Sequence, residues 1–412
     1  MRGHDEQTQH MFSHLSPEQR VPADHPLRAV RALTAHALKT MSRRWYAKTG
    51  RPSIPPEQLL RALVLQVLYT ARSERLLMEA LNYNLLFRWF VGLNMDDPVW
   101  HPTTFTKNRD RLLAGDVAAA FFDAVRAQAR AAGLLSDEHF TVDGTQLEAW
   151  ASLKSFQQRD AAPGAPPDDP GNPTVNFHGE RRRNDTHAST TDPEALLHRK
   201  GPGKEAKLAY RGHVLLDHRH GLVANVCATH ATGTAERDAA VVLLDASASP
   251  GSTVAADQGY DVASFVATVR GLALTPHVAQ KARWSAIDGR TTRHAGYHVS
   301  QRKRKLVEQV FGWMKTVGGL RKLRHRGVAL VDWQLTFAAA TYNFGPVAEP
   351  GGDMPVIVGR PWHRSSVAGR PHRCVAHRDR SLFACHSQNQ PPTRVLQQPA
   401  SVSAGLALRW HI

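Results

Sequence analysis

The stretch EHFTVDGTQLEAW, residues 138–150, is where the chain changes character. Phe140 and Val142 alternate with polar neighbours, the period of a half-buried strand, and lead to Asp143 and Gly144 as at a strand's end. Everything before it reads as helix. Between residues 55 and 132, Leu59, Leu60, Leu63, Val64, Val67 and Leu68 recur at three and four, and Ser73 is placed to cap ERLLMEALNYNLLFRWFVGL. Thr103 or Thr104 is expected to cap a short basic helix carrying Lys107, Arg109 and Arg111. Such a helix lies against phosphates as readily as it faces solvent.

Downstream, residues 157–203 are rich in Pro, Gly, Asp, Asn and Arg and read as one long extended loop. Strands resume in KLAYRGHVLLDHRHGLVANVCATHA, with DHRHG as a hairpin turn, and again in STVAADQGYD and LALTPHVAQ. A helix is expected across 231–248, and a long one from near Ser300. Alternating strands and helices predict an α/β domain on a mixed sheet, residues 136–343. An all-helical domain, 1–135, precedes it, and an atypical tail, 344–412, follows.

Lys and Arg total 52 against 36 Asp and Glu, a formal charge of +16, which favours a polyanionic partner and nucleic acid first. The start, MRGHDEQTQH, has no apolar core, and LLRALVLQVLYTA is shorter than the roughly 20 residues of a bilayer span. A soluble protein without membrane contact is expected. Cys227, Cys374 and Cys385 form no CxxC pair and suit a reducing cytoplasm. His139, His213, His218, His220 and His230 are scattered and read as core or surface side chains, and Trp45, Trp89 and Trp150 as packing residues.

QRKRKLVEQVFGWMK, residues 301–315, sets Glu308 among cations. On one continuous helix Arg304, Glu308, Phe311 and Lys315 share a narrow stripe beside an apolar arc of Val307, Val310 and Met314. An i, i+4 pair with Arg304 accounts for Glu308 by itself, and turn chemistry accounts for Asp143 in DGT and Asp257 before Gly259. Taken together the three acids say more. Asp143 and Asp257 at two strand ends, with Glu308 on a packed helix, offer hard oxygen donors of the kind Mg²⁺ or Mn²⁺ takes. Two such ions support phosphodiester chemistry, with Arg304 and Lys315 beside the phosphates.

The ordered set TVDGTQ, ADQGYD and RKRKLVEQVFGWMK resembles the catalytic signature of bacterial DDE transposases of the insertion-sequence-five group, within the insertion-sequence-four-like superfamily. The resemblance runs from roughly residue 10 to 343 and takes in EALNYNLLFRWFVGL and HPTTFTKNRDRL, which look like that family's helical DNA-binding domain. It implies a ribonuclease H-like fold with Asp143, Asp257 and Glu308 as catalytic metal ligands for two Mg²⁺ ions, Mn²⁺ substituting. It further implies double-stranded DNA as partner, both element ends and target, a homodimer or higher oligomer on that DNA, and action in the bacterial cytoplasm at the nucleoid. The implied reaction is cleavage at the element ends followed by attack of the freed 3′-hydroxyl on target DNA. A metal nuclease without strand transfer and a catalytically silent DNA binder are the alternatives. Arg304 and Lys315 match the family's basic positions, whereas Gln301 stands where a Tyr is often found and Gln258 where relatives commonly have Lys.

The resemblance stops at AAATYN, residues 338–343. Helix breakers follow at once in FGPVAEPGGDMPVIVGRP, and from Phe344 to Ile412 there is no Lys and no Tyr. A reading frame shifted just after Asn343 accounts for both features. A zinc site from Cys374, His377, Cys385 and His386 is a rival reading of the tail, and a disordered basic extension another.

Overall fold

The first half builds helices wherever the apolar spacing is three and four. They are α1 (Pro17–Arg20), α2 (Pro26–Met41), α3 (Pro56–Leu68), α4 (Glu74–Tyr83), α5 (Leu85–Val91), α6 (Pro102–Leu113) and α7 (Val117–Ala131). This is a computed structural model, and it describes residues 16–41, 54–113, 116–159, 182–201 and 203–348. Trp45 and the tail from residue 349, with every reading of that tail, lie outside them. Ser73 caps α4 as expected, its hydroxyl accepting from the Leu76 N–H at 3.2 Å. α6 differs: it starts at Pro102, so Thr103 and Thr104 fall inside its first turn instead of capping it. Proline at the first helical position already has the right φ and lacks only an N–H that would be unpaired there.

β1 (His139–Glu148) is the centre of a mixed sheet. β5 (Ala206–Asp217) runs antiparallel to it from Phe140↔Asp217 to Glu148↔Ala209. The far edge of β5 is shared by β6 (Val223–His230) and β4 (Leu196–Arg199), both antiparallel to it. On the other side of β1 lie β7 (Thr253–Ala256) and then β8 (Thr275–Val278), both parallel. The hairpin turn at DHRHG joins β5 to β6, and the parallel strands are reached through α8 (Ala235–Ser247) and α9 (Ala263–Gly271), as parallel pairing requires. The chain continues with α10 (Gly289–Thr292), α11 (Ala295–Lys303), α12 (Leu306–Thr316) and α13 (Val328–Ala348).

The stretch 157–203 is not one loop at its described ends. β2 (Phe156–Gln158) pairs with β3 (His187–Ser189), and β4 joins the main sheet. The breakers concentrate in the middle of that stretch, while HAS and LLHR are free to extend and pair.

Alternation along the strands sorts the core into two layers. Leu147, Val214 and Leu216 face α12, α13 and the N-terminal helices, and Phe140, Val142 and Leu215 lie under α8 and α9. α13 packs against α2, α7 and β6. Its Phe337 stacks on Phe121 with ring centroids 5.4 Å apart, and Phe344 meets the same ring edge-on at 5.8 Å. One apolar cluster therefore runs from Leu27 through Phe121 to Phe344, and the helical half shares it with one face of the sheet. Burial of each such ring stabilises by about 2 kcal/mol.

α13 also passes the expected stop at Asn343 and continues to Ala348. Asn343 is buried and clamps the start of β6, its Oδ1 accepting from the Val223 N–H and its Nδ2 donating to the Val223 carbonyl, both at 2.9 Å. With Phe344 buried one residue later, that turn is fixed before Gly345 and Pro346 are reached. Among the described residues no helix is long and apolar enough to cross a membrane.

Candidate active site

β1 does not end at Asp143, as the sequence suggested. It runs on through Gly144 to Glu148 because β5 pairs with it along that whole length, so Asp143 sits mid-strand. Two of the three expected acids are still aligned. The parallel register His139↔Thr253, Phe140↔Val254, Thr141↔Ala255, carried two residues further, sets Asp143 level with Asp257, the first residue beyond β7.

Both acids also do local turn work. Asp257 Oδ1 accepts from the Gly259 N–H at 2.7 Å and caps the single turn Gln258–Tyr260, and Asp143 Oδ1 accepts from the Gly144 N–H at 2.8 Å. Burial pushes the Asp143 carboxyl up to about 7; the Gly144 N–H opposes this, the charges of Asp257 and Glu236 add to it, and the Arg304 guanidinium counters it. Each of those three charged groups is therefore close enough to act on Asp143.

Glu236 was not singled out by the sequence. It lies in the first turn of α8, where an acid reads as an ordinary partner of the helix dipole. Its Oε1 pairs with Arg211 Nη1 at 2.7 Å. It approaches β1 so closely at Gly144 that a Cβ there would stand 2.9 Å from Glu236 Cγ and 3.1 Å from His213 Nδ1. The usable signal was the glycine following Asp143, since a glycine inside a strand marks close approach of another group. Burial raises the Glu236 pKa, the Arg211 charge lowers it, and Asp257 raises it further. The hydroxyl of Tyr260 and Nδ1 of His213 are both buried without a hydrogen-bond partner, and Tyr260 lies within the field of Asp143, Glu236 and Asp257.

The long helix expected from Ser300 is two helices, α11 and α12, with the break at Arg304 and Lys305. Val307, Val310 and Met314 are buried as the apolar arc of α12, and Phe311 joins them. Arg304 leaves the stripe: its Nε donates to Gln301 Oε1 at 3.1 Å, not to Glu308. Glu308 is exposed in the first turn of α12. α12 packs on β1, on the face that Asp143 shares with Thr141 and Leu147. Among the described residues, no three His, Cys, Asp or Glu side chains stand closely enough to hold a metal ion. The structure thus gathers Asp143, Asp257, Glu236 and Arg304, and leaves Glu308 on the surface of the adjoining helix.

The basic residues divide. Lys315 is half-buried, and burial together with the cations Lys200, Arg321 and Arg211 lowers its pKa. Lys107 and Arg111 are exposed on α6. Arg109 is instead tied inside the protein, paired with Glu74 of α4 and, at 2.8 Å, with Asp110. Trp89 packs as expected, but Trp150 is 49% exposed with Lys322 Nζ 5.9 Å from its ring centroid.

With this geometry in place, known proteins add a family-level match. Residues 182–344 match the family model described as the transposase DDE domain, and residues 15–111 match that described as a transposase domain, DUF772. The chain carries transposase domains. The DDE-domain match takes in Asp257 and Glu308 but begins after Asp143, and the DUF772 match takes in Lys107, Arg109 and Arg111. No curated protein compared with the chain matches it. Among solved structures, the cryo-EM piggyBac transposase synaptic complex with hairpin DNA is similar at 10% identity, with a TM-score of 0.38, over 78% of this chain and 72% of that one. A likeness at that level carries no weight for fold or mechanism.

Proposed function

We propose that the chain is a transposase of the insertion-sequence-five type that cuts and joins DNA with Asp143, Asp257 and Glu308 as its catalytic carboxylates. The observation that carries this reading is the β1–β7 register, which brings Asp143 into line with Asp257 although the matched DDE domain starts downstream of it. Four strands paired antiparallel, β1, β4, β5 and β6, followed by β7 and β8 parallel to β1, support the ribonuclease H-like assignment. The helical half, 1–135, binds the element ends in this reading, the sheet half, 136–343, does the chemistry, and the assembly on DNA is a dimer or larger.

By donor chemistry, the aligned pair Asp143 and Asp257 suits Mg²⁺ or Mn²⁺, which takes one or two carboxylates. Asp143 is a half-buried carboxylate level with a second one, with a single backbone N–H as its hydrogen-bond partner, and such a pair of hard oxygen donors suits a hard divalent ion. Asp143, Asp257 and Glu308 would hold such ions, whose chemistry when bound is to lower the pKa of water or a 3′-hydroxyl and to steady charge on phosphate oxygens. The protein's own part is positioning. Arg304 and Lys315 hold phosphates beside the acids, and Lys107 and Arg111 hold the duplex further out, each a point of backbone contact without sequence reading.

A supercoiled plasmid carrying the gene with its flanking DNA, incubated with Mg²⁺, tests this. The wild type nicks and joins labelled 3′ ends to a new duplex, while Asp143→Asn, Asp257→Asn and Glu308→Gln do neither. Cleavage that persists unchanged in Glu308→Gln removes Glu308 from the site. The exposure of Glu308, apart from the other acids, favours a second reading, a DNA binder that does not cut. Under it the wild type shifts DNA but never nicks it, and Glu308→Gln binds equally well.

A further inference from the structure

Three side chains latch α11 to the parallel strand β8. The Tyr297 hydroxyl donates to the Val278 carbonyl at 3.1 Å, His277 Nδ1 lies 2.7 Å from Ser300 Oγ, and Gln301 Nε2 donates to the His277 carbonyl at 2.5 Å. β8 pairs with β7, so this anchor belongs to the same parallel ladder that ends in Asp257. Gln301 is the member of the latch with a second end. Its Oε1 accepts from Arg304 Nε at 3.1 Å, and Arg304 acts on Asp143 electrostatically.

Arg304 sits in the break between α11 and α12, where helix periodicity does not fix its direction. A free arginine there has four torsions to settle, with Asp143 within electrostatic range. Its partner in the structure is a neutral amide oxygen, not a carboxylate, so the charge is not cancelled. Holding Nε leaves both terminal nitrogens of the fork, with four N–H groups, open to an anion, and it fixes the plane in which they point. A planar fork presented beside two carboxylates suits a phosphodiester oxygen pair.

We propose that Gln301 is a positioning residue that braces Arg304 against β8, so that its terminal nitrogens engage one DNA phosphate beside Asp143 and Asp257. The proposal rests on the DNA-processing reading above and gives it a residue that touches neither acid nor DNA. It also accounts for a neutral side chain with both a donor and an acceptor at this place, since only such a group bridges a carbonyl and a guanidinium.

The test is an interference footprint. Phosphates of a bound duplex are neutralised singly as methylphosphonates, and binding by the full chain is measured for wild type, Arg304→Ala and Gln301→Met. Neutralising the phosphate held by Arg304 weakens wild-type binding about tenfold, the size of a charge-assisted hydrogen bond, and has no effect on Arg304→Ala. Gln301→Met, of similar volume but unable to bridge, is expected to lose the same signal at the same phosphate with a melting temperature close to wild type. Should that variant not fold, Gln301→Leu replaces it: it too can neither donate to the His277 carbonyl nor accept from Nε, so the signal is again lost. A signal retained in folded Gln301→Met or folded Gln301→Leu overturns the brace. An Arg304→Ala footprint identical to wild type overturns it as well, because Arg304 then holds no phosphate. A wild type that binds no DNA sinks the underlying reading instead, and the brace with it.

Discussion

Glu236 and Arg211 form an ion pair of 2.7 Å beside Gly144, on the strand that carries Asp143. A methyl group at residue 144 would stand 2.9 Å from Glu236 Cγ and 3.0 Å from its Oε1. Glu236 has to swing away, and Arg211 loses its partner. Gly144→Ala is expected to cost about 1–3 kcal/mol of stability, the usual range for overpacking, and to lower DNA cleavage at least tenfold. Denaturant melts and a nicking assay check it; a variant as active as wild type takes Glu236 out of the site.

The raised pKa of Asp143 has a definite sign in a pH titration. Its ordinary value is 3.8 and its folded value about 7, so between those limits the folded chain holds a proton that the unfolded chain has released. The stability linked to this group is fully present below about pH 4 and is lost as the pH rises through about 7, at up to roughly 1.4 kcal/mol per unit. Relative to wild type, Asp143→Asn becomes progressively more stable from pH 4 to 7 in EDTA. Parallel urea melts of the two proteins decide this, and curves that keep a constant offset contradict it.

Divalent ions should reverse that penalty. At pH 7.5, Mg²⁺ at about a hundred times its dissociation constant raises wild-type stability by about 2.7 kcal/mol. Asp143→Asn and Asp257→Asn lose most of the gain. A thermal shift of equal size in both variants would place the ion elsewhere.

On α6 the three cations separate by their partners. Lys107 and Arg111 face solvent, so Lys107→Ala and Arg111→Ala each reduce the salt dependence of DNA binding by about one unit of slope, with little change in melting temperature. Arg109 is held by Glu74, so Arg109→Ala lowers the melting temperature and moves the slope least. A fluorescence titration across salt concentrations reads all three.

Asn343 closes both hydrogen bonds of Val223 from inside the core. Asn343→Leu keeps the size but strands a buried N–H and a buried carbonyl, at an expected cost of about 2–4 kcal/mol. Calorimetry or urea melts measure it, and a loss below about 0.5 kcal/mol would mean that water fills the gap.

The sequence by itself determined the helical first half, the α4 cap at Ser73, the hairpin at DHRHG and the strand leading into Asp143. Each is written in neighbours a few residues apart: apolar spacing, a capping hydroxyl, turn residues. It also marked the candidate acids and basic positions by their residue types and order. What it could not carry was length and partnership. β1 outlasts Asp143 because β5 pairs with it to Glu148, α13 outlasts Asn343 because Val223 and Phe121 hold its last turns, and the helix of Glu308 breaks at Arg304, where Gln301 and β8 take up the side chains. Glu236 joined the acids, Arg109 left the free cations and Trp150 came to the surface for the same reason. Those outcomes depend on contacts between segments far apart in the chain, and only the packed structure decides which hydrogen bond, ion pair or apolar surface each residue receives.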